Sequence, residues 1–128
     1  MPRPPHVDLG PLPVDLIEDL FGHELEPGGV VLTQAALDHV KRSHPKDWAR
    51  CLPFVRRVVA EPTYIGDDTK NRAKVEFVGR MPGGEGLLVA VVIEMRRGCY
   101  HVASFYPVSQ AKIDNRRRSG LLRNVVRK

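Results

Sequence analysis

The spacing of apolar residues changes near Tyr64, and this change constrains the fold more than any other feature of the chain. Before it, apolar residues recur at helical spacing, as at Leu16, Ile17 and Leu20. After it they alternate with polar ones, and the run from Leu87 to Met95 suits a buried central strand. The sequence therefore predicts an α+β fold, with helices first and then an antiparallel meander that carries helices on one face.

Local signals set the expected helices. The first spans Val14 to Phe21 and ends at Gly22. Thr33 follows a short strand at residues 30–32 and reads as the N-cap of a helix from Gln34 to Ser43. Pro45 disfavours helical geometry at the residue before it. We therefore expect His44 at or just past the end of this helix. A helical turn at residues 47–52 and a helix from Pro53 to Glu61 follow.

Turn residues set the expected strands. A strand at Tyr64-Ile65 is turned by residues 66–68, and residues 74–78 alternate with Val75 and Phe77 inward. Residues 82–86 form a hairpin loop, and Arg97-Gly98 is a tight turn into a strand at residues 100–106. Pro107 closes that strand because proline cannot donate to a ladder.

Both ends of the chain differ in composition from its centre. Residues 1–13 are proline-rich and predict an extended arm without a core of its own, and residues 111–128 form a basic tail, either a helix or a disordered arm. The central domain spans residues 14–110. A formal net charge of +5 favours nucleic acid, an anionic surface or an acidic protein as partner, although a basic protein without such a partner has the same charge.

The cysteines and the hydropathy of the chain predict its cellular compartment. Cys51 and Cys99 do not make a disulfide framework, so a reducing environment is the simpler assumption. No apolar run approaches the roughly 20 residues of a membrane span, and residues 1–5 do not resemble a signal peptide. We expect a cytoplasmic protein that does not bind a membrane.

Two histidines near the end of the second helix are candidate acid–base groups. His39 and His44 are five residues apart, about 140° around an ideal helix, so they need not share a face unless the break at Pro45 brings them together. The alternative is one solvated histidine and one packed or capping histidine. No metal site is expected, because this spacing is not a common ligand spacing.

The last predicted strand carries hydroxyl groups. Alternation places Tyr100, Val102, Ser104 and Tyr106 on one face, and His101, Ala103 and Phe105 on the other, with Ala103 and Phe105 in the core. Ser104 and Tyr106 could then hold a phosphate or orient an imidazole, or they are ordinary residues of a half-exposed sheet. Lys74 could offset charge on a phosphate, or it is a solvated lysine at a strand end.

Taken in order, these motifs resemble a known family. The chain has a helix with His39 and His44-Pro45, a helix ending at Glu61-Pro62, residues Ile65 to Asp68, and a strand ending in Ser104-x-Tyr106-Pro107. This order is similar to the phage-associated branch of the barnase–EndoU–colicin–RelE-like (BECR) nucleases, over roughly residues 14–110. The resemblance implies a metal-independent endoribonuclease without a cofactor, with a curved antiparallel sheet packed on the N-terminal helices.

The resemblance also implies roles for residues. His39 and His44 match the helix histidines and Ser104 and Tyr106 the hydroxyl pair, with Lys74 as the strand cation. One imidazole would take the proton of the RNA 2′-hydroxyl and the other would protonate the leaving 5′-oxygen, giving a 2′,3′-cyclic phosphate and a bell-shaped pH profile. Binding of the RNA backbone is expected at six cations, Lys41, Arg42, Arg72, Arg116, Arg117 and Arg118.

Three other predictions concern the biological role. A toxic nuclease is expected to have an acidic immunity or antitoxin partner that covers its basic face. The same fold could instead be a non-catalytic RNA- or protein-binding module, which would tolerate loss of His39 or His44 but not of Arg116 to Arg118. A structural phage protein is the remaining alternative, and it would self-associate without binding RNA.

Overall fold

Seven strands form one sheet in the residues that this computed structural model describes, 6–68 and 73–125. The strands are β1 (His6–Pro11), β2 (Gly29–Thr33), β3 (Tyr64–Asp68), β4 (Lys74–Arg80), β5 (Gly86–Arg96), β6 (Cys99–Val108) and β7 (Leu122–Asn124). Their spatial order is β1-β2-β6-β5-β4-β3-β7. The α+β class is therefore confirmed, whereas the curvature of the sheet stays a prediction.

The centre of the sheet is the expected meander. Strands β3, β4, β5 and β6 pair in sequence order, and each pair is antiparallel. The tight turn at Arg97-Gly98 is confirmed, and both residues have positive φ, as a two-residue hairpin turn requires. One pairing was not expected from the sequence: β2 is parallel to β6 and joins it at Cys99 to His101.

Five helices and a short 3₁₀ turn accompany the described strands. They are α1 (Val14–Phe21), α2 (Gln34–Ser43), α3 (Trp48–Cys51), the 3₁₀ turn Leu52–Phe54, α4 (Val55–Ala60) and α5 (Gln110–Arg118). The Thr33 cap is confirmed, because its hydroxyl accepts the backbone N–H of Ala36 at 3.2 Å. Among the described residues, no helix has the length and apolar character needed to cross a bilayer.

Helices α1 to α4 cover one face of the sheet. Their buried side chains, including Ile17, Val40 and Val55, pack against inward residues of the strands such as Phe77 and Phe105. We call this the helix side of the sheet. Removing the side chain of a phenylalanine in such a core costs about 3–5 kcal/mol, so this face supplies much of the stability of the fold.

Helix α5 packs on the opposite face, where the sequence led us to expect no helix. Ile113 of α5 and Leu122 of β7 are buried against Val78, Leu88 and Val108. This second apolar cluster covers only one end of that face. Farther along β4 and β6, the side chains of Lys74, Glu76, His101 and Ser104 are only half-buried. We call this uncovered part the open face.

The described parts of both terminal segments pack on the rest of the chain: β1 stands where an extended arm was expected, and α5 is the helical alternative given for the basic tail. Leu9 of β1 and Leu12 just after it are buried in the helix-side core, and β1 pairs with β2. Their alternation with prolines hid them, because proline-rich composition is read as extended chain. At the other end, residues 110–118 are helical and residues 122–124 pair with β3. Whether residues 14–110 act as a separate functional domain stays a prediction.

Two local predictions about strand ends were wrong. Residues Gly66 to Asp68 continue β3 instead of turning it, and they pair with residues 74–76 of β4. At Gly66 a Cβ would lie 2.8 Å from Leu122 Cδ2, so glycine here permits the close approach of β7. Pro107 lies inside β6 opposite Leu87. The described pairing of β2 with β6 ends at His101, so a missing N–H is tolerated on that edge.

Candidate active site

A β-bulge in β6 decides which of its side chains share a face. Ser104 pairs with Ala90, whereas the next pair along the ladder is Val102 with Val91. One residue of β6, Ala103, therefore has no residue of its own opposite it on β5. An extra residue of this kind shifts the alternation of side chains by one position.

The shift changes the expected faces of β6. Tyr100 and Val102 before the bulge, and Phe105 after it, all lie in the helix-side core. Ser104 and Tyr106 lie on the opposite face, where Tyr106 packs beside the cluster under α5. The predicted grouping of Tyr100 and Val102 with the two hydroxyl residues was wrong, and Ala103 packs on the α5 cluster instead of beside Phe105. The placement of Ser104 and Tyr106 on one common face is confirmed.

His44 lies against Tyr106. The two rings are stacked, with centroids 5.0 Å apart and planes 20° from parallel. The position of His44 at the end of α2 is confirmed, since its backbone N–H donates to Val40 O at 2.7 Å and its φ and ψ have left the helical region. The structure therefore brings together three of the predicted site residues, His44, Ser104 and Tyr106.

The topology explains how a helix end reaches this strand. Helix α2 begins directly after β2, and β2 is the parallel neighbour of β6 at His101. Ten residues of helix extend about 15 Å, and the five steps from His101 to Tyr106 extend about 17 Å. Helix α2 contacts β6, so its C-terminal residue comes level with Tyr106.

A carboxylate and a guanidinium lie next to this pair. Arg116 of α5 donates from Nη1 to Glu76 Oε1 at 2.6 Å. Glu76 of β4 and Ser104 of β6 both pair with Ala90 of the intervening strand β5, so the two residues lie in one row across the sheet. Burial acts to lower the pKa of Arg116, but the hydrogen bond and charge of Glu76 and a contribution from Tyr106 raise it above its ordinary value. The guanidinium is therefore held charged beside the phenol of Tyr106.

A second row of side chains crosses the open face. Lys74 pairs with Val92, which pairs with His101. Two strand spacings place the Lys74 and His101 Cα atoms about 10 Å apart. His101 lies between two core-facing residues, so its own side chain points to the open face. Its Nδ1 is buried and has no hydrogen-bond partner among the described residues. A buried polar atom without a partner is costly and calls for an explanation, of which a catalytic role is one.

The other predicted residues are not gathered in this way. His39 is exposed on α2, and within the described part of the chain no hydrogen bond, ion pair or ring contact joins it to the open face. Lys41 lies over the ring of Trp48 at 4.6 Å, and Arg42 is exposed. Arg72 lies outside the described residues. In the described ranges, no three His, Cys, Asp or Glu side chains are grouped closely enough to hold a metal ion.

Arg116, Arg117 and Arg118 differ although they are consecutive. Arg116 points inward to Glu76, Arg117 lies over the ring of Tyr64, and Arg118 donates to the side chain of Asn115. Successive helical residues are about 100° apart, so three neighbours cannot share one face. Their joint assignment to RNA binding stays a prediction.

Sequence reasoning missed Glu76 and His101 as site residues. The signal for Glu76 was present: Val75 and Phe77 were predicted to point inward, so the same alternation turns Lys74 and Glu76 outward together. The signal for His101 was masked, since the bulge that places it with Ser104 leaves no mark in the sequence. The partner of Glu76, Arg116, lies three positions beyond Ile113 and so on the same side of α5.

Fold and site together define a small α+β domain with imidazole, carboxylate, hydroxyl and cationic groups on one face of its sheet. Residues 10–115 match the model of the phage-Barnase-EndoU-ColicinE5/D-RelE like nuclease 3 family. The chain therefore belongs to this family of nucleases, which confirms the resemblance found in the sequence. No curated protein and no solved structure matches the chain.

Proposed function

We propose that this protein is a metal-independent endoribonuclease that cleaves RNA on the open face of its sheet. The observation that carries the proposal is the stack of His44 on Tyr106 beside Ser104. It brings an imidazole against one of two hydroxyl-bearing residues on the same face of β6, and a charged guanidinium lies close by. Membership of a nuclease family supports a phosphodiester as substrate.

RNA carries its own nucleophile, so the protein needs only to move protons and hold the phosphate. One group removes the proton of the 2′-hydroxyl, whose oxygen attacks the adjacent phosphorus. Another group donates a proton to the 5′-oxygen as its bond to phosphorus breaks. The products are a 2′,3′-cyclic phosphate and a 5′-hydroxyl end. Each proton transfer contributes about 10²–10⁴-fold to the rate.

The residues divide between proton transfer and phosphate binding. We assign His44 to one proton transfer, and Ser104, Tyr106 and Lys74 to the phosphate, because all four belong to or adjoin the open face. The sequence assigned the second transfer to His39. His39 lies on the helix that ends at His44 but is exposed, whereas His101 shares the open face but is five strand steps, about 17 Å, from Tyr106. Both histidines are therefore candidates for the second transfer, and the cleavage assay of the variants separates them.

The ion pair of Glu76 with Arg116 has a supporting role in this proposal. A guanidinium held by a carboxylate at 2.6 Å is fixed in orientation. Fixed cations stabilise charge that develops on a phosphate without a cost of reorganisation. Arg116 would therefore act near the phosphate bound by Tyr106, while Glu76 keeps it in place.

The decisive test is cleavage of labelled RNA in EDTA by the wild type and by three variants, His44→Ala, His101→Ala and His39→Ala. Lys46→Ala is the matched control, because Lys46 is an exposed residue of the same loop as His44. We expect a loss of about 10²–10⁴-fold for His44→Ala and for the one of the other two variants that removes the second proton-transfer group. Unchanged thermal unfolding would show that each variant is folded.

The outcomes separate the alternatives. Loss with His39→Ala but not with His101→Ala would restore the pair predicted from the sequence. RNA binding without cleavage would favour the non-catalytic binding module, and self-association with neither activity would favour the structural phage protein. Cleavage of DNA, or a strict requirement for a metal ion, would contradict attack by the 2′-hydroxyl. An acidic immunity or antitoxin partner and a cytoplasmic location stay predictions.

A further inference from the structure

A groove between α5 and β7 lies outside the site described above. It has a volume of about 700 Å³ and is lined by Asp114, Arg117, Arg118, Leu122, Arg123 and Asn124. Three of these six side chains are arginines. We propose that this groove binds the phosphate backbone of single-stranded RNA, as an extension of the open-face site.

Each of the three arginines is held in place by a neutral group. Arg117 lies 5.2 Å from the centre of the Tyr64 ring, and Arg118 donates to Asn115 Oδ1 at 2.7 Å. Arg123 pairs with Ile65 of the helix-side core, so its guanidinium points away from Arg117 and Arg118. It lies 4.9 Å from the centre of the Phe21 ring and donates to the backbone oxygen of Leu20, and only Arg117 and Arg118 present their charges on the α5 side. Aromatic and amide partners orient a guanidinium without neutralising its charge.

One carboxylate lines the groove, so the charges of Arg117 and Arg118 are only partly balanced. The salt bridges formed by the described arginines join Arg50 to Asp47 and Glu85, and Arg116 to Glu76. The acid that lines the groove, Asp114, accepts a hydrogen bond from Gln110 at 2.9 Å. Two ordered guanidinium groups beside a single carboxylate leave the groove with a net positive charge, which suits a polyanion, and phosphate suits the guanidinium fork in particular.

The position of the groove favours RNA over another polyanion. Tyr64 pairs through Val78 and Leu88 with Tyr106, so the tyrosines are the two ends of one row across the sheet. Three strand spacings separate their Cα atoms by about 14 Å. A strand of a few nucleotides can span this distance, so one RNA chain can contact both the open face and the groove.

Helix α5 connects the two places directly. Arg116 reaches Glu76 on the open face, while the next residue, Arg117, covers Tyr64 at the groove. A guanidinium plane over an aromatic ring also offers a surface on which an unpaired base can stack. The identity of the ligand rests on the proposed function, whereas the anion-binding character of the groove does not.

The test measures RNA binding without cleavage. The probe is a fluorescent 2′-O-methyl oligonucleotide, which lacks the nucleophile, and its affinity is measured by anisotropy over a range of salt concentrations. The groove variant carries Arg117→Gln and Arg118→Gln. The matched control carries Arg56→Gln and Arg96→Gln, two exposed arginines elsewhere whose loss changes the net charge equally.

Loss of two phosphate contacts should make the plot of log affinity against log salt shallower by about 1.4, since each contact to a single strand contributes about 0.7. The control variant should keep the slope of the wild type. Replacing both groove arginines by lysine keeps the charge and should restore most of the slope. If the double variant does not fold, Arg118→Gln alone should still make the plot shallower by about 0.7, because its hydrogen bond to Asn115 is exposed on α5 and its loss should leave the fold intact.

An equal slope in the groove and control variants would overturn the inference. The inference would also be overturned if the wild type does not bind the oligonucleotide but binds polyglutamate through the same arginines. The groove would then be a docking surface for an acidic protein. The wild type could bind RNA without cleaving it, and the groove variant could lose that binding. This result would support RNA binding by the groove and contradict only the proposed cleavage.

Discussion

Strand β4 shows the two faces of the sheet side by side. Val75 and Phe77 are fully buried under the helices, whereas Lys74 and Glu76 are half-buried on the other face. The first pair contributes only packing, and the second pair is part of the candidate site. One strand can do both because its side chains alternate. Stability and function should therefore respond to different, neighbouring substitutions.

The largest expected difference is between adjacent residues of β6. Phe105→Ala should lower the free energy of unfolding by about 3–5 kcal/mol, because it leaves a cavity in the helix-side core. Ser104→Ala should change it by less than about 0.5 kcal/mol and yet reduce cleavage, since Ser104 lies on the open face. Urea unfolding and an RNA cleavage assay measure the two effects. Equal destabilisation by both variants would contradict the separation of the faces.

A smaller effect is expected where α5 is attached to the open face. Glu76→Gln removes the charge partner of Arg116 and should cost about 1–3 kcal/mol, since Arg116 is only partly exposed. Glu94→Gln is the control, because Glu94 is exposed on β5. A double-mutant cycle with Arg116→Gln isolates the coupling between the two groups. No measurable coupling would mean that the apolar cluster around Ile113 alone holds the helix.

The smallest effect should be a pH dependence of the helix side. Burial raises the pKa of Tyr100, helped by the charge of Glu26, and the hydroxyl donates to the backbone oxygen of Glu26 at 2.5 Å. Its folded pKa therefore lies above its unfolded value. The corresponding stability is fully present below the unfolded pKa, which is about 10, and is lost as pH rises through the folded pKa.

Denaturant unfolding between pH 8 and pH 11 measures this dependence. The wild type should lose stability at alkaline pH more steeply than Tyr100→Phe, which has no hydroxyl to ionise. Parallel curves for the two proteins would show that Tyr100 ionises equally in both states. The open face is not expected to contribute to this difference, because the substitution lies on the helix side.

Features that depend on neighbouring residues were predicted from the sequence, and features that depend on distant residues were not. The α2 helix was predicted with its cap at Thr33 and its end at His44, because both signals act within a few residues. The meander and its tight turn at Arg97-Gly98 were predicted for the same reason. Leu9 and Leu12 were missed, since their burial depends on partners far along the chain.

The candidate site was also predicted only where it depends on residues close together in the sequence. Ser104 and Tyr106 were expected on a common face, because the two residues are separated by one position of a strand. The stack of His44 on Tyr106 could not be foreseen, because it requires the parallel pairing of β2 with β6. The family was recognised from short motifs that the match over residues 10–115 now supports.

The sequence by itself determined the class of fold, the ends of most helices and strands, and the nuclease family. Those features arise from capping, turn chemistry and side-chain alternation, which are interactions between near neighbours. Only the tertiary structure decided which charged and aromatic groups meet, as with Glu76 and Arg116, which are 40 residues apart in the chain. A single bulged residue, Ala103, reverses the faces of β6, because strand alternation has a period of two.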